Sequence, residues 1–132
     1  MTRPPIDAFP TSHEPAVDPA AIADLRALQD DGEDGLLAEL IALFLEDAAL
    51  RLERLWDALG RGDAEVVERE AHALKGASGN FGARPLAGFC DRLQKAGREN
   101  ALSDAPALLA GLEAELVRVR EALTAELARG EE

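Results

Sequence analysis

The sequence predicts an all-α protein, an antiparallel four-helix bundle with a short additional helix near its N-terminus. Of its 132 residues, 47% are apolar but only 4% are aromatic, and tyrosine is absent. Alanine and leucine dominate, together with glutamate and arginine, and this composition favours helices packed on helices over a sheet. Four long stretches carry apolar residues at spacings of three and four, with no alternating strand pattern. The short breaks between these stretches favour antiparallel neighbours.

The N-terminal segment differs in composition from the rest of the chain. Residues 1–17 hold four of the seven prolines and show no periodic apolar pattern, which predicts a flexible tail. The remaining residues, 18–132, are numerous enough for one domain with a buried core. His13 lies in the tail, where we expect a lone histidine to be solvated.

A short first helix is expected at the start of this domain. Asp18 suits the N-cap and Pro19 suits the first helical position. Val17 and Ile22 stand where a hydrophobic staple would bridge the cap. We expect this helix to run to about Gln29, where the sequence DDGEDG interrupts it, and to cover one end of the bundle.

Four longer helices are predicted from continuous apolar stripes, over about 34–60, 64–81, 85–99 and 104–128. The sequence GRGD ends the first of these, and Asp63 is expected to cap the next. The four stripes consist of Leu37, Ile41, Phe44, Ala48, Leu52, Leu55 and Leu59; of Val67, Ala71, Leu74, Ser78 and Phe81; of Leu86, Phe89, Leu93 and Ala96; and of Leu109, Leu112, Leu116, Val119, Leu123 and Leu127.

The net charge of −12 argues against nucleic acid as a partner, because phosphate contacts need a basic surface. The charge is uneven, however. Residues 72–98 carry five basic side chains and one acid, a local excess of +4 that could steer an acidic partner. A chance cluster of solvated side chains is the alternative. The basic residues are Lys75, Arg84, Arg92, Lys95 and Arg98, and the acid is Asp91.

Other classes of function are disfavoured by what the sequence lacks. Its single cysteine, Cys90, excludes an intramolecular disulfide and a cysteine-based metal site. We find no apolar run long enough to span a membrane and no signal-peptide pattern. We therefore expect no membrane association and a cytoplasmic location.

His72 is predicted to point outwards from its helix. Successive helical residues lie about 100° apart around the axis, so His72 falls about 140° from the centre of the stripe formed by Val67, Ala71 and Leu74. An exposed histidine on a helix is usually unremarkable, so its neighbours decide how to interpret it. The residues on its flank are Lys75, Gly76 and Gly79 on the following turns and Glu65 and Glu68 on the preceding turns.

The two glycines on this flank need a reason, because each costs about 0.5–1 kcal/mol relative to alanine inside a helix. Without side chains at Gly76 and Gly79, another protein could approach the imidazole closely. Close helix packing is the alternative, and it fits less well because both glycines lie away from the apolar stripe. Lys75 supplies a cation suited to a phosphoryl charge, and the imidazole is a good nucleophile near neutral pH. A metal site is disfavoured, since no second histidine or cysteine is near and Glu68 alone makes a poor site.

The stretch HALKGASGNFG, which begins at His72, resembles the signature of histidine-containing phosphotransfer (Hpt) domains of multistep two-component signalling. That signature has a histidine, lysine and glycine at the third and fourth following positions, a serine at the sixth and a glycine near the tenth. The matching residues are Lys75, Gly76, Ser78 and Gly82. The resemblance extends over about residues 34–128 and implies a four-helix bundle.

The resemblance also covers two residues of the following helix. In some family members a glutamine 22 residues after the histidine accepts a hydrogen bond from the imidazole, and an arginine lies one turn beyond. Gln94 and Arg98 stand at these places, although a solvated amide and a general basic residue are the alternatives. With the imidazole Nδ1–H bonded to Gln94, Nε2 would be free to attack. The residues assigned to partner docking are Glu68, Gly76, Gly79, Lys95 and Arg98, and those assigned to structure are Ser78, Phe81 and Gly82.

The resemblance implies a phosphocarrier and not an enzyme. A receiver domain would transfer its aspartyl phosphate to His72, which would later pass the group to another receiver. Response-regulator receivers and a hybrid histidine kinase are the implied partners of a monomeric protein without a cofactor of its own, and Mg²⁺ would belong to the receiver. Two alternatives remain open: a receiver- or kinase-binding adaptor or inhibitor that carries no phosphate, and the phosphoacceptor domain of a chemotaxis-type kinase.

Overall fold

The computed structural model describes residues 14–28 and 35–130. These residues form five α-helices and no strand. The helices are α1 (Pro19–Ala27), α2 (Leu36–Arg61), α3 (Ala64–Gly79), α4 (Arg84–Arg98) and α5 (Ala105–Gly130). The predicted all-α class and all five helices are confirmed. Most of the predicted break at DDGEDG and most of the predicted tail lie outside the described residues.

The four long helices pack as a closed ring in which α2 contacts α3, α3 contacts α4, α4 contacts α5, and α5 contacts α2. Ion pairs across α3 and α4 show their relative direction. Glu68 pairs with Arg98, and further along α3 Lys75 pairs with Asp91. Because advancing along α3 means going back along α4, these helices are antiparallel, as predicted for the bundle.

The core lies inside this ring and consists mainly of the predicted stripes. The buried members of those stripes are Leu37, Ile41, Phe44, Ala48, Leu55, Leu59, Val67, Ala71, Leu74, Ser78, Phe81, Leu86, Leu93, Leu109, Leu112, Leu116, Val119 and Leu123. Four other stripe positions, Leu52, Phe89, Ala96 and Leu127, are only half-buried. Two of these four belong to α4, which is rotated relative to the prediction.

The buried face of α4 is formed by Leu86, Cys90, Leu93, Gln94 and Gly97. Its centre lies roughly 60° around the helix axis from the predicted stripe. The reason is Gly97, where a Cβ atom would lie 2.6 Å from the backbone nitrogen of Glu68 and 2.7 Å from the carbonyl oxygen of Ala64. The backbones of α3 and α4 meet at Gly97, and α4 is rotated about its axis so that this residue faces α3.

Helix α3 ends at Gly79, two residues earlier than predicted. Phe81 therefore belongs to the connection with α4, where its N–H donates to the carbonyl oxygen of Ser78 at 3.2 Å. It is still a core residue, with its ring centroid 4.8 Å from that of Phe44. Gly82 completes the turn with a φ of 61°, a left-handed conformation that glycine adopts without steric cost.

The start of α1 has the predicted cap. The side chain of Asp18 accepts a hydrogen bond from the backbone N–H of Ala20 at 2.9 Å, and Pro19 occupies the first turn. Val17 and Ile22 are both buried, as the predicted hydrophobic staple requires. The cap of α3 is also as predicted, since the side chain of Asp63 accepts from the N–H of Val66.

Helix α1 covers one end of the bundle, as expected. Asp18 forms an ion pair with Arg84 at the start of α4, at 3.0 Å. Ala16 and Val17 are buried in the core, and Arg118 of α5 donates to the backbone oxygen of Glu14 at 2.6 Å. The packed domain thus begins before the predicted boundary at residue 18, because Ala16 and Val17, which precede the cap of α1, are buried in the core.

Replacing Gly97 by alanine tests the close contact between α3 and α4. We expect Gly97→Ala to lower the free energy of unfolding by about 1–3 kcal/mol, because the new methyl group overlaps backbone atoms that cannot move independently. Gly88→Ala on the same helix is the matched control, since a Cβ there would meet no heavy atom of the described residues within 4 Å. Urea denaturation of both variants measures the effect, and equal stabilities would contradict the proposed contact.

Candidate functional site

The side chain of His72 is exposed on α3, as its place on the helical wheel predicted. It lines an open depression of about 390 Å³ on the surface formed by α3 and α4. Glu65, Glu68 and Arg69 of α3 line the same depression, as does Gln94 of α4. The structure therefore brings the histidine and the predicted glutamine, 22 residues apart in sequence, to one place.

Gly76 and Gly79 are exposed on the turns that follow His72. A Cβ atom at either position would meet no heavy atom of the described residues within 4 Å. Close packing between helices, the alternative explanation for these glycines, is therefore wrong, and Gly97 serves that purpose instead. What the two glycines provide is an unobstructed surface beside the imidazole.

Lys75 is held by an acidic residue of α4. Its Nζ donates to Oδ1 of Asp91 at 2.8 Å, and this hydrogen bond, together with the charge of Lys75, lowers the pKa of Asp91. The sequence shows Asp91 only as the one acid of a basic segment and does not predict its contact with Lys75. No local spacing rule links residues that are 16 positions apart, so only the packing of α3 on α4 reveals the pair.

Arg98 and Glu68, both predicted at the docking surface, form a second ion pair between the same helices. Nε of Arg98 lies 3.2 Å from Oε2 of Glu68. Lys95, the third charged residue predicted there, is exposed but does not line the depression. The basic segment identified in the sequence is thus partly neutralised, since three of its cations, Lys75, Arg84 and Arg98, face carboxylates.

Gln94 is buried, with 9% of its surface exposed. The alternative of a solvated amide is therefore wrong. Its Oε1 atom is buried and has no hydrogen-bond partner among the described residues, so the predicted hydrogen bond from His72 is not formed in this structure. An unpaired buried carbonyl oxygen costs about 1–3 kcal/mol. Gln94 therefore presents an available acceptor beside the depression that contains the histidine.

Arg69 is the residue of the site that sequence reasoning missed. It is exposed, lines the depression and lies three residues before His72, on the adjacent turn. Its spacing from the histidine was the available signal, because on the wheel Arg69 lies about 60° from His72, as far as Lys75 does on the other side. The structure shows that a long arginine side chain reaches the depression from there.

The residues assigned to structure have supporting contacts. Ser78 is fully buried, and its hydroxyl donates to the carbonyl oxygen of Leu74 at 2.7 Å, a bond to the preceding turn that serines in helices form. Because Ser78 faces the core while His72 faces outward, the two cannot act as a nucleophile and base pair. Gly82 lies against α1, where a Cβ atom would overlap the side chain of Asp18.

Neither a metal cluster nor a membrane-spanning helix is present in the part of the chain that the structure describes. Within it, no group of three or more histidine, cysteine, aspartate and glutamate side chains is arranged to hold a metal ion. None of the described helices combines the length and the apolar character needed to cross a bilayer.

Taken together, the site is an exposed imidazole on an open surface, with a cation one turn away and an unpaired acceptor beside it. The depression does not enclose a small substrate. Such an arrangement can present a nucleophile to a group carried by another macromolecule, which would bring its own catalytic groups.

Comparison with known proteins agrees with this description. The family model of the Hpt domain matches residues 39–122, and the chain belongs to this family. Its fold is similar to that of histidine-containing phosphotransfer protein B (HptB) from Pseudomonas aeruginosa PAO1, with a TM-score of 0.79 and 36% identity over 87% of this chain and 96% of HptB. Ypd1p, at 19% identity, shares the fold with a TM-score of 0.68 over 89% of this chain and 96% of its own.

Two curated relatives come from Arabidopsis thaliana. Histidine-containing phosphotransfer protein 2 is 34% identical over 70 residues, which is 51% of this chain and 45% of that protein. Histidine-containing phosphotransfer protein 5 is 34% identical over 71 residues, which is 52% of this chain and again 45% of the relative. The match thus spans less than half the length of either plant protein.

Replacing Gln94 by methionine tests whether its carbonyl oxygen is unpaired. Methionine has a similar shape and no acceptor that requires a partner. We therefore expect Gln94→Met to raise the free energy of unfolding by about 1 kcal/mol, measured by urea denaturation. Leu93→Met, a change at the neighbouring buried position, is the control and should lower stability by less than about 1.5 kcal/mol. A loss of stability in Gln94→Met would mean that the amide is satisfied in solution.

Proposed function

We propose that this protein is a histidine phosphocarrier of a multistep phosphorelay, with His72 as the residue that carries the phosphoryl group. A receiver domain phosphorylated on aspartate docks over α3 and α4 and transfers its phosphoryl group to His72. Another receiver later removes it. The observation that carries the proposal is the exposed imidazole beside two glycines that leave the surface free for a partner.

The transfer needs no proton movement at His72. The lone pair of Nε2 attacks phosphorus in line, forming an N–P bond while the acyl P–O bond breaks. The bonding electrons leave with the receiver's aspartate, which becomes a carboxylate. The imidazole keeps its Nδ1 proton, so the neutral ring becomes a cation that bears a phosphoryl dianion, and the total charge is unchanged.

Gln94 and Lys75 stabilise different parts of the phosphohistidine, the ring and the phosphoryl group respectively. Once the ring is cationic, its Nδ1–H is a stronger donor, and the buried Oε1 of Gln94 is available to accept from it. The ammonium of Lys75, on the turn after His72, binds the phosphoryl oxygens. Because both contacts strengthen as the phosphoryl group arrives, they favour the phosphorylated product over the starting state.

The partners are receiver domains and a hybrid histidine kinase. The exposed charges of Glu68, Lys95 and Arg98 border the docking surface, together with Gly76 and Gly79, and an acidic receiver pocket suits the basic members of this set. In the proposal the receiver supplies Mg²⁺, so this chain needs no cofactor. A monomer in the cytoplasm, as expected from the sequence, completes the proposal.

The decisive experiment is transfer from a phosphorylated receiver domain to the purified protein, alongside a His72→Gln variant. We expect an acid-labile, base-stable label on the wild-type protein and none on the variant, because only a phosphoramidate bond has that stability pattern. A label retained by His72→Gln would move the carrier function to another residue. Tight binding to a receiver without any label would favour the adaptor function instead.

Gly76 tests the role of the open surface. We expect Gly76→Leu to slow transfer at least about tenfold, because the leucine side chain occupies the space that the receiver needs. A tenfold effect corresponds to a loss of about 1.4 kcal/mol in docking free energy. Gly60→Leu is the matched control, because Gly60 is also exposed in a helix with no neighbour of the described residues within 4 Å of its Cβ position. Normal transfer by a folded Gly76→Leu protein would refute the role of the open surface.

A further inference from the structure

Two ion pairs connect α3 to α4 on either side of His72. Glu68, one turn before the histidine, faces Arg98 at 3.2 Å. Lys75, one turn after it, faces Asp91 at 2.8 Å. The pairs have opposite polarity, with the acid on α3 in the first and the base on α3 in the second. Of these two pairs, only Lys75–Asp91 therefore has its cation on α3, the helix of His72, and its anion on α4.

The Lys75–Asp91 pair is accessible enough to exchange. The side chains are 43% and 63% exposed respectively, so water or a competing anion can reach the ammonium. The pair is also well formed, since Nζ of Lys75 lies 2.8 Å from Oδ1 of Asp91, and this contact lowers the pKa of Asp91. Lys75 thus has a defined partner in the unphosphorylated protein, and that partner is not His72.

We propose that Asp91 is a positioning residue for the phosphotransfer reaction, which holds the ammonium of Lys75 until a phosphoryl group on His72 takes its place. This inference rests on the function proposed above. The exchange breaks one charge-assisted hydrogen bond, from Nζ–H to Oδ1 of Asp91, and forms another, from Nζ–H to a phosphoryl oxygen. The ammonium keeps its three protons, and no covalent bond changes in this step.

The exchange makes Asp91 a competitor of the phosphoryl group. Breaking the ion pair opposes phosphorylation, so the carrier holds its phosphoryl group less tightly than it would without Asp91. Because the ion pair is exposed it is weak, so removal of Asp91 should shift the transfer equilibrium towards phosphorylated His72 by only about 1.5- to 5-fold. A carrier that must release its group to the next receiver benefits from such a restraint.

The experiment measures the equilibrium between a phosphorylated receiver domain and the full chain, quantified from the label on each protein. We expect Asp91→Asn to raise the equilibrium constant for phosphorylation of the carrier by about 1.5- to 5-fold, and Lys75→Gln to lower it. In the Lys75→Gln background, Asp91→Asn should have no effect, because the residue through which Asp91 acts is gone. Asp57→Asn, which removes the exposed Asp57–Arg61 pair of 2.9 Å on α2, is the control and should leave the equilibrium unchanged.

The possible results separate the two proposals. A wild-type protein that takes no label refutes the phosphocarrier function and this inference with it. A labelled wild type with an unchanged equilibrium in Asp91→Asn refutes the role of Asp91 alone. An equal rise in the Lys75→Gln background would also refute it, because a general charge effect would then explain the shift. Circular dichroism of each variant confirms that its fold is intact.

Discussion

The contact between the backbones of α3 and α4 at Gly97 is the constraint on which the site depends. Helices usually pack with their axes 8–10 Å apart, at a distance that their side chains decide, and a residue without a side chain allows a closer approach. This contact rotates α4 so that Gln94 is buried. It also brings Asp91 and Arg98 within reach of Lys75 and Glu68. The packing at Gly97 and the arrangement of the surface around His72 thus depend on each other.

The site combines a firmly packed helix with an unobstructed surface. Leu74 and Ser78 anchor α3 in the core, and both are fully buried, while His72 stands on the opposite side of the same helix. Gly76 and Gly79 leave that side unobstructed. A carrier of the proposed kind must bind each partner and release it, and a firmly packed helix with an unobstructed surface beside its nucleophile meets both needs, since docking requires little rearrangement.

Much of this could be predicted from local sequence because helical periodicity is a local property. The caps at Asp18 and Asp63 and the outward direction of His72 all follow from spacings within one helix. The errors have a common origin. The predicted stripe of α4 included Phe89 and Ala96 because these are apolar, whereas the structure has Cys90 and Gly97 buried against the rest of the bundle. Phe81 was placed in α3 because its spacing suited the helix, although the chain had already turned.

By itself, the sequence determined the five helices, the exposed histidine with its lysine and its two clear glycines, and the similarity to the Hpt signature. Tertiary structure alone decided that Gln94 is buried with an unpaired oxygen, that Arg69 reaches the depression, and that Lys75 and Arg98 each face a carboxylate. The reason is physical. Each of these depends on the rotation and separation of two helices, which are set by the packing of many side chains and not by the spacing of residues along one of them.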